Sequence, residues 1–285
     1  MNELFNAWIV SHNTENPKSI RNIKFAWAYC EQLYDTQVQN IRARHISVLF
    51  EAPYKTVDDE KIYAKPSTVK LLKSTMNQLC SYAIGRDLMS RNYAKDVNVG
   101  TSHVEKHHKS FTAQEMEALW EVSNTDKYAK IIIMQCYMGR RPSEILSIRR
   151  DNINLDEMTI VGGSKTNAGK NRIVPIHSKI QNIVLEFWNE SDGDDWLFPS
   201  PVKSGQHMAY SSYNKFFEIV MKHECLDSTH RPHDCRKQFV TMVKSAKVDE
   251  YVLKRLIGHA ITDITEDVYT DRPVAWLREE IEKIK

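Results

Sequence analysis

The stretch RPHDCRKQF, residues 231–239, puts His233, Asp234, Cys235 and Arg236 in one short run. Those residue types could make a metal site, a thiol nucleophile with its base, or a clamp for a phosphate. Zinc would need a second His or Cys pair at short spacing, and none accompanies this run. His103 and His107 do have the i, i+4 spacing of a zinc pair, but no Glu follows His103 as in H-E-x-x-H, and no helical stripe supports them. No metal or other cofactor is therefore expected. Cys235 carries no signature of a nucleophilic cysteine. On a helix starting near His233, positions i and i+3 share a face, so His233 and Arg236 point together while Cys235 points away. The phosphate clamp is the reading that survives.

Three other segments bear polar groups that a purely structural role does not explain. In MGRRPSEIL, Arg140 and Arg141 directly follow a long apolar helix, where an unpaired buried guanidinium would be costly. They either cap the helix with positive charge or present a planar fork to an anion. GGSKTNAGKNRIVPI invites a P-loop assignment, but Gly163 to Gly169 is one residue too long, and Asn171 stands where Ser or Thr should ligate magnesium. A hairpin tip that reaches a ligand from above is the better reading, with Lys165, Lys170 and Arg172 as its candidates. In LIGHAITDITEDVYTDR, Gly258 ends a helix and leaves His259 on the turn after it, with Tyr269 ten residues on.

The elements that must position these groups are mostly helices. Val69, Leu72, Met76, Leu79 and Ala83 form one helical stripe behind a start at Pro66 and Ser67. Ile23, Trp27, Cys30 and Tyr34 repeat that period, so residues 1–99 read as a small helical bundle. Lys65, Lys70 and Lys73 lie off the stripe, as a solvated face or as DNA contacts. Residues 100–110 are polar and aperiodic, a linker. The second domain, 111–285, opens with a capping-box pattern at Thr112 and Glu115, and a helix then runs to Gly139, with another beginning at Pro142. Short β-rich runs flank the polar loop between 152 and 176, a hairpin signal. Helices return at 177–189, 210–224, 233–245, 249–258 and from about 273. The fold class is mainly α with a small antiparallel β-sheet, in two domains.

Composition sets wider bounds. The chain of 285 residues, 41% hydrophobic and 27% charged, can bury two ordinary cores. No apolar run approaches the ~20 residues of a membrane span, and MNELFNAWIV is not the start of a secretory signal. Five scattered cysteines suit a reducing cytosol. Residues 1–110 carry 15 Lys and Arg against 11 Asp and Glu, a net +4, and the remainder 24 against 26, a net −2. Binding to nucleic acid would therefore need positive charge gathered on one face.

Taken in order, these segments resemble the tyrosine recombinases, the phage integrase family. GRRPSEIL is similar to the family's G-x-R-x-x-E-L element, with Arg141 in the first catalytic-arginine position and Arg140 at a usually apolar one. GSKTNAGKNRIVPI is similar to its β-hairpin lysine element and implies Lys165. HDCRKQF resembles its H-x-x-R box, implying His233 and Arg236. LIGHAITDITEDVY resembles its L-G-H and tyrosine ending, implying His259 and the nucleophile Tyr269, although many members have one residue fewer between those two positions. The resemblance covers about residues 111–285, and the first domain resembles the family's core-binding domain more loosely. Some larger integrases carry an arm-type domain ahead of that one, so the chain is expected to be a compact recombinase or one with such a domain removed.

The resemblance implies a two-domain clamp on DNA that cleaves and rejoins at attachment sites through a 3′-phosphotyrosine link. Arg141 and Arg236 would hold the phosphate, His233 would take the proton of Tyr269, Lys165 would protonate the leaving oxygen, and His259 would hydrogen-bond the phosphate. Lys65, Lys70, Lys73, Lys170 and Arg172 would be further DNA contacts. A homotetramer on DNA is expected, joined through a last helix whose Leu277, Ile281 and Ile284 dock into a neighbour. Accessory DNA-bending or directionality proteins, a bacterial, phage or mobile-element origin, and a cytoplasmic location complete the expectation. A type IB topoisomerase-like DNA-relaxing enzyme and a non-catalytic DNA-binding relative are the alternatives.

Overall fold

In a computed structural model of the chain, the described residues are 1–12, 17–98, 108–163, 172–223, 225–259 and 273–285. The chain divides into two compact units, Met1–Glu105 and Lys106–Lys285, and each has a hydrophobic core of its own. Both are dominated by helices, as the periodicity requires. None of the described helices is long and apolar enough to cross a membrane.

In the first unit, α1 (Asn2–Ser11), α2 (Pro17–Trp27), α3 (Ala43–Glu51) and α4 (Pro66–Ile84) enclose the core. All five residues of the expected α4 stripe are buried. Phe5 of α1 stacks on Trp27 of α2 with centroids 4.4 Å apart, and the indole N–H of Trp27 donates to Asn2 Oδ1 at 3.0 Å, so the ring is packed with its polar edge satisfied. The second stripe is shorter than its period suggests. α2 stops at Trp27, and Cys30 reaches the core from the turn beyond it, where its N–H bonds to Trp27 O at 2.8 Å.

An all-helical first unit is corrected by a hairpin of β1 (Tyr54–Val57) and β2 (Glu60–Tyr63). Its two turn residues, Asp58 and Asp59, have φ of 48° and 62°, the left-handed pair that matches the twist of a two-residue hairpin and that Asp tolerates. The Glu31 carboxylate accepts from the Thr56 N–H at 2.9 Å and from its hydroxyl at 2.8 Å, which fastens the hairpin to the helical body.

In the second unit, α5 (Ala113–Ser123) starts on the expected capping box: Glu115 N–H donates to Thr112 Oγ1, and Thr112 N–H donates to Glu115 Oε2. α6 (Lys127–Met138) is buried on every side from Ile131 to Met138. It lies among α5, α8 (Ser178–Glu190), α9 (Tyr210–Val220) and α10 (Pro232–Ser245). Its buried amide side chain in that stretch, Gln135, accepts from the Tyr213 hydroxyl at 2.8 Å and donates to Arg140 O at 3.3 Å. Short α7 (Pro142–Leu146) follows, then a three-stranded antiparallel sheet of β3 (Ile153–Asn154), β4 (Thr159–Val161) and β5 (Ile173–Pro175). α11 (Glu250–Ile257) and α12 (Val274–Ile281) complete the unit.

In the single chain, α12 lies against its own unit, whereas docking into a neighbour was the expectation. Leu277, Ile281 and Ile284 are buried in the core of their own unit, and α12 packs along β5. Polar contacts fix the end of the chain: His177 Nε2 lies 3.0 Å from Ile284 O, Ser178 N–H donates to Glu282 at 2.8 Å, and Asp249 N–H donates to Glu280 at 3.0 Å. The apolar stripe finds its partner in cis, beside the edge strand.

Candidate active site

α6 ends where Gly139 enters the left-handed region at φ 61°. A Cβ there would lie 2.3 Å from the Phe239 ring of α10, so glycine alone permits this approach of the two helices. α10 carries Arg236 to the same place. Its Nη1 donates to Gly139 O at 2.8 Å and its Nη2 to Ile257 O at 2.7 Å. A single guanidinium thus satisfies terminal carbonyls of α6 and α11. Of its five N–H groups, those two are engaged in this way.

Arg141 caps α7, and Glu144 organises it. The carboxylate accepts the Arg141 N–H at 3.1 Å, Arg141 Nη1 at 2.8 Å and Arg172 Nη2 at 2.8 Å. The Glu144 side chain is only 1% exposed. Burial alone would raise its carboxyl, but the bonds and charges from Arg172 and the bonds from Arg141 bring it down to about 2. Arg236 is shifted down to about 10 by burial and by the positive charge of Arg141.

α11 closes with Gly258 at φ 68°, and His259 N–H reaches back to Lys254 O at 3.0 Å, a Schellman-type end. The imidazole of His259 is lowered by partial burial and then by the charges of Arg236 and Arg141. A base whose charged form is opposed by two guanidiniums stays neutral near pH 7. Three of the expected residues, Arg141, Arg236 and His259, therefore share one electropositive site. His233 sits on α10 one turn before Arg236, exposed on the same face. The positions expected for Lys165, Lys170 and Tyr269, and for the His103–His107 pair, lie outside the described residues. Among the described residues no cluster of His, Cys, Asp or Glu is arranged to hold a metal ion.

Arg172 is placed differently from expectation. It was grouped with the hairpin-tip cations, but it is buried, donating Nε to Leu256 O at 2.9 Å as well as Nη2 to Glu144. It joins the root of β5 to α7 and to the end of α11. Arg140 is also buried, at 1% exposure, with Nη2 on Ile160 O of β4 at 3.0 Å and Nε without a partner. Burial and the neighbouring Arg172 lower it to about 9. It ties β4 to the α6–α7 junction and does more than cap a helix. In the first unit Lys65 and Lys70 are exposed and Lys73 half-buried, and Lys95, not singled out in the sequence, joins Lys70 and Lys73 around a recess of about 430 Å³. The organising role of Glu144 was also missed, although the residue stands in the quoted G-x-R-x-x-E-L pattern.

Comparison with known proteins agrees with this architecture. Tyrosine recombinase XerA of Pyrococcus horikoshii is 27% identical over 179 residues, covering 62% of this chain and 61% of the relative. Tyrosine recombinase XerC of Proteus mirabilis is 26% identical over 217 residues, covering 72% and 68%. The chain spans about three fifths of the length of the XerA relatives it matches. Among solved structures, the Tn1549 transposon integrase in complex with circular intermediate DNA superposes with a TM-score of 0.73 at 16% identity, covering 98% of both chains. A lambda integrase dimer bound to a COC′ core site gives 0.71 at 13% identity, covering 95% of this chain and 96% of the other. These likenesses show the fold. The model of the phage integrase family matches residues 109–274, which hold all four described members of the expected site, and the chain belongs to that family.

Proposed function

We propose that the chain is a site-specific DNA recombinase that cleaves and rejoins duplex DNA through a 3′-phosphotyrosine link, integrating or excising a mobile element. The observation that carries this reading is the convergence of Arg141, Arg236 and His259 on the ends of three helices. Guanidiniums held at such junctions suit the equatorial oxygens of a phosphoryl-transfer transition state, because they are positioned before the charge develops. Tyr269 attacks phosphorus, His233 accepts its proton, Lys165 protonates the departing 5′-oxygen, and His259 hydrogen-bonds the phosphate. Neutral His259 suits that last role.

Lys65, Lys70, Lys73 and Lys170 serve as contacts to the DNA backbone, with Lys95 added to the first three. The DNA seen with the solved integrases supports DNA as the partner. Assembly as four subunits on two sites, with accessory DNA-bending or directionality proteins, belongs to the same reading. The test begins with covalent capture from a pool of nicked duplexes of randomised sequence. The unaltered chain should enrich a family of duplexes that remain attached on a denaturing gel, and Tyr269→Phe should bind the enriched duplex yet leave none attached. An attached product from Tyr269→Phe would overturn the assignment of the nucleophile.

A further inference from the structure

Four consecutive residues ahead of α5 are each tied by a side chain to α10 or to the loop before it. Ser110 Oγ and Thr241 Oγ1 lie 2.6 Å apart. Lys109 donates to Thr229 Oγ1 at 2.6 Å and pairs with Asp227. Phe111 stacks on His230 with centroids 4.0 Å apart. The fourth is His108, whose Nδ1 lies 3.0 Å from Asp234 Oδ1.

Asp234 is fully buried. Its other oxygen accepts the Arg231 N–H at 2.9 Å and lies 3.0 Å from His230 Nδ1, while His230 Nε2 lies 3.1 Å from Glu115 Oε1. A network so enclosed has little freedom, and it sets the ring of His108. A carboxylate oxygen accepts, so the ring hydrogen of His108 sits on Nδ1 and Nε2 presents a lone pair. The His108 side chain is 56% exposed. No described residue bonds its Nε2. Its ring centroid is 5.6 Å from that of His233, a separation that one bridging water spans between ring nitrogens.

Anchoring does not account for this arrangement, since Lys109, Ser110 and Phe111 already hold the segment. We infer that His108 is a proton-relay residue of the DNA-cleaving site, taking from His233 the proton that His233 accepts from the attacking tyrosine. The inference rests on the proposed roles of Tyr269 and His233. As the phenolic oxygen bonds phosphorus, the bond from phosphorus to the 5′-oxygen breaks and Lys165 protonates that oxygen, while the phenolic O–H bond breaks and its proton passes to one ring nitrogen of His233. The proton on the other ring nitrogen of His233 moves through a bridging water to His108 Nε2, and the carboxylate of Asp234 offsets the charge that results. In rejoining, the proton returns along the same path to the phenolate. Buried Asp234 acts by fixing the His108 ring, as an orienting carboxylate does for a base.

The experiment uses the full chain and the duplex enriched by covalent capture, with attachment followed in a single turnover. His108→Ala should slow attachment by about a hundredfold, the lower end of one proton-transfer contribution, while affinity for the duplex stays within about twofold. Imidazole added to the buffer should restore much of the lost rate and leave the unaltered chain unchanged. A structural anchor would not respond in this way. His108→Gln keeps a donor for Asp234 but carries no proton onward, so it should be slow with an unchanged unfolding midpoint. Full rate in His108→Gln overturns the inference, as does a slow His108→Ala that ignores imidazole. If Tyr269→Phe still forms the attached product, the reading beneath fails and the relay with it. If Tyr269→Phe is inactive and His108→Ala runs at full rate, the relay alone is wrong.

Discussion

Glu144 lies at the centre of the site without being among the residues expected to touch DNA. Its carboxyl titrates at about 2 when folded, against an ordinary 4.5. A carboxyl depressed in the folded state stabilises it fully above the unfolded value, and that contribution is lost as pH falls from about 5 through about 2. Glu144→Gln should therefore lower stability at neutral pH by on the order of 3 kcal/mol, since it leaves Arg172 buried without its counter-charge. The variant should also show a flatter loss of stability between pH 5 and 2, and unfolding midpoints across that range check both points. Arg141 and Arg236 separate by a similar argument. Arg236 holds terminal carbonyls of α6 and α11, whereas Arg141 gives a single side-chain N–H to Glu144. Lysine keeps the charge but not the fork. Both Arg→Lys variants should lose most covalent attachment while keeping near-normal DNA affinity, and Arg236→Lys alone should also raise hydrogen exchange at the end of α11. Equal loss of binding and attachment in both would mean ordinary backbone contacts. At this scale the sequence showed which polar residues were unexplained. It did not show Glu144 or His108 as partners, because their roles come from contacts with Arg172 and Asp234, far along the chain.

The helices were legible where one face is apolar and the ends are marked, as in α4 behind Pro66 and in α5 with Thr112 and Glu115. The hairpin at 54–63 was not, because its strands are four residues each and largely exposed, so no buried alternation advertises them. The sheet of the second unit was visible in outline, but the work of its two buried arginines was hidden. Arg172 stands beside hairpin lysines in sequence, and only folding separates it from them. The two arginines should respond differently to removal. Arg140 has a donor without a partner and, among the described residues, no carboxylate within bonding distance, so Arg140→Met relieves desolvation at the loss of one hydrogen bond and should cost less than about 1 kcal/mol. Arg172→Met breaks a buried ion pair and frees Leu256 O, and should cost about 3–5 kcal/mol. Urea unfolding of the two variants checks the order, and equal losses would show that Arg140 is held by more than its contact to β4.

At the scale of the whole chain, two separate cores make two objects whose stabilities can be perturbed one at a time. A boundary between them is expected at the polar, aperiodic stretch, since a segment with no apolar face has nothing to bury. The apolar stripe of α12 was equally readable, but a stripe states only that something must cover it, and the expected cover was a second subunit. In the fold its cover is the second unit itself, with Leu277, Ile281 and Ile284 buried there. Removing residues 274–285 uncovers the faces they seal. At about 1.5–3 kcal/mol for each fully buried side chain, the loss is comparable to the whole stability of a domain, about 5–15 kcal/mol. The truncated chain should therefore lose hydrogen-exchange protection throughout β5 and α8, with an unfolding transition of the second unit that falls sharply or disappears. Peptides from α1 to α4 should keep their protection, because the buried residues of α12 belong to the second core and α1 to α4 enclose a core of their own. Docking in trans predicts the opposite outcome, an isolated truncated chain as stable as the full one and defective only in complexes on two DNA sites. Exchange measured on the chain without DNA therefore decides between the two arrangements, and unchanged protection in β5 and α8 would show that α12 finds its cover elsewhere.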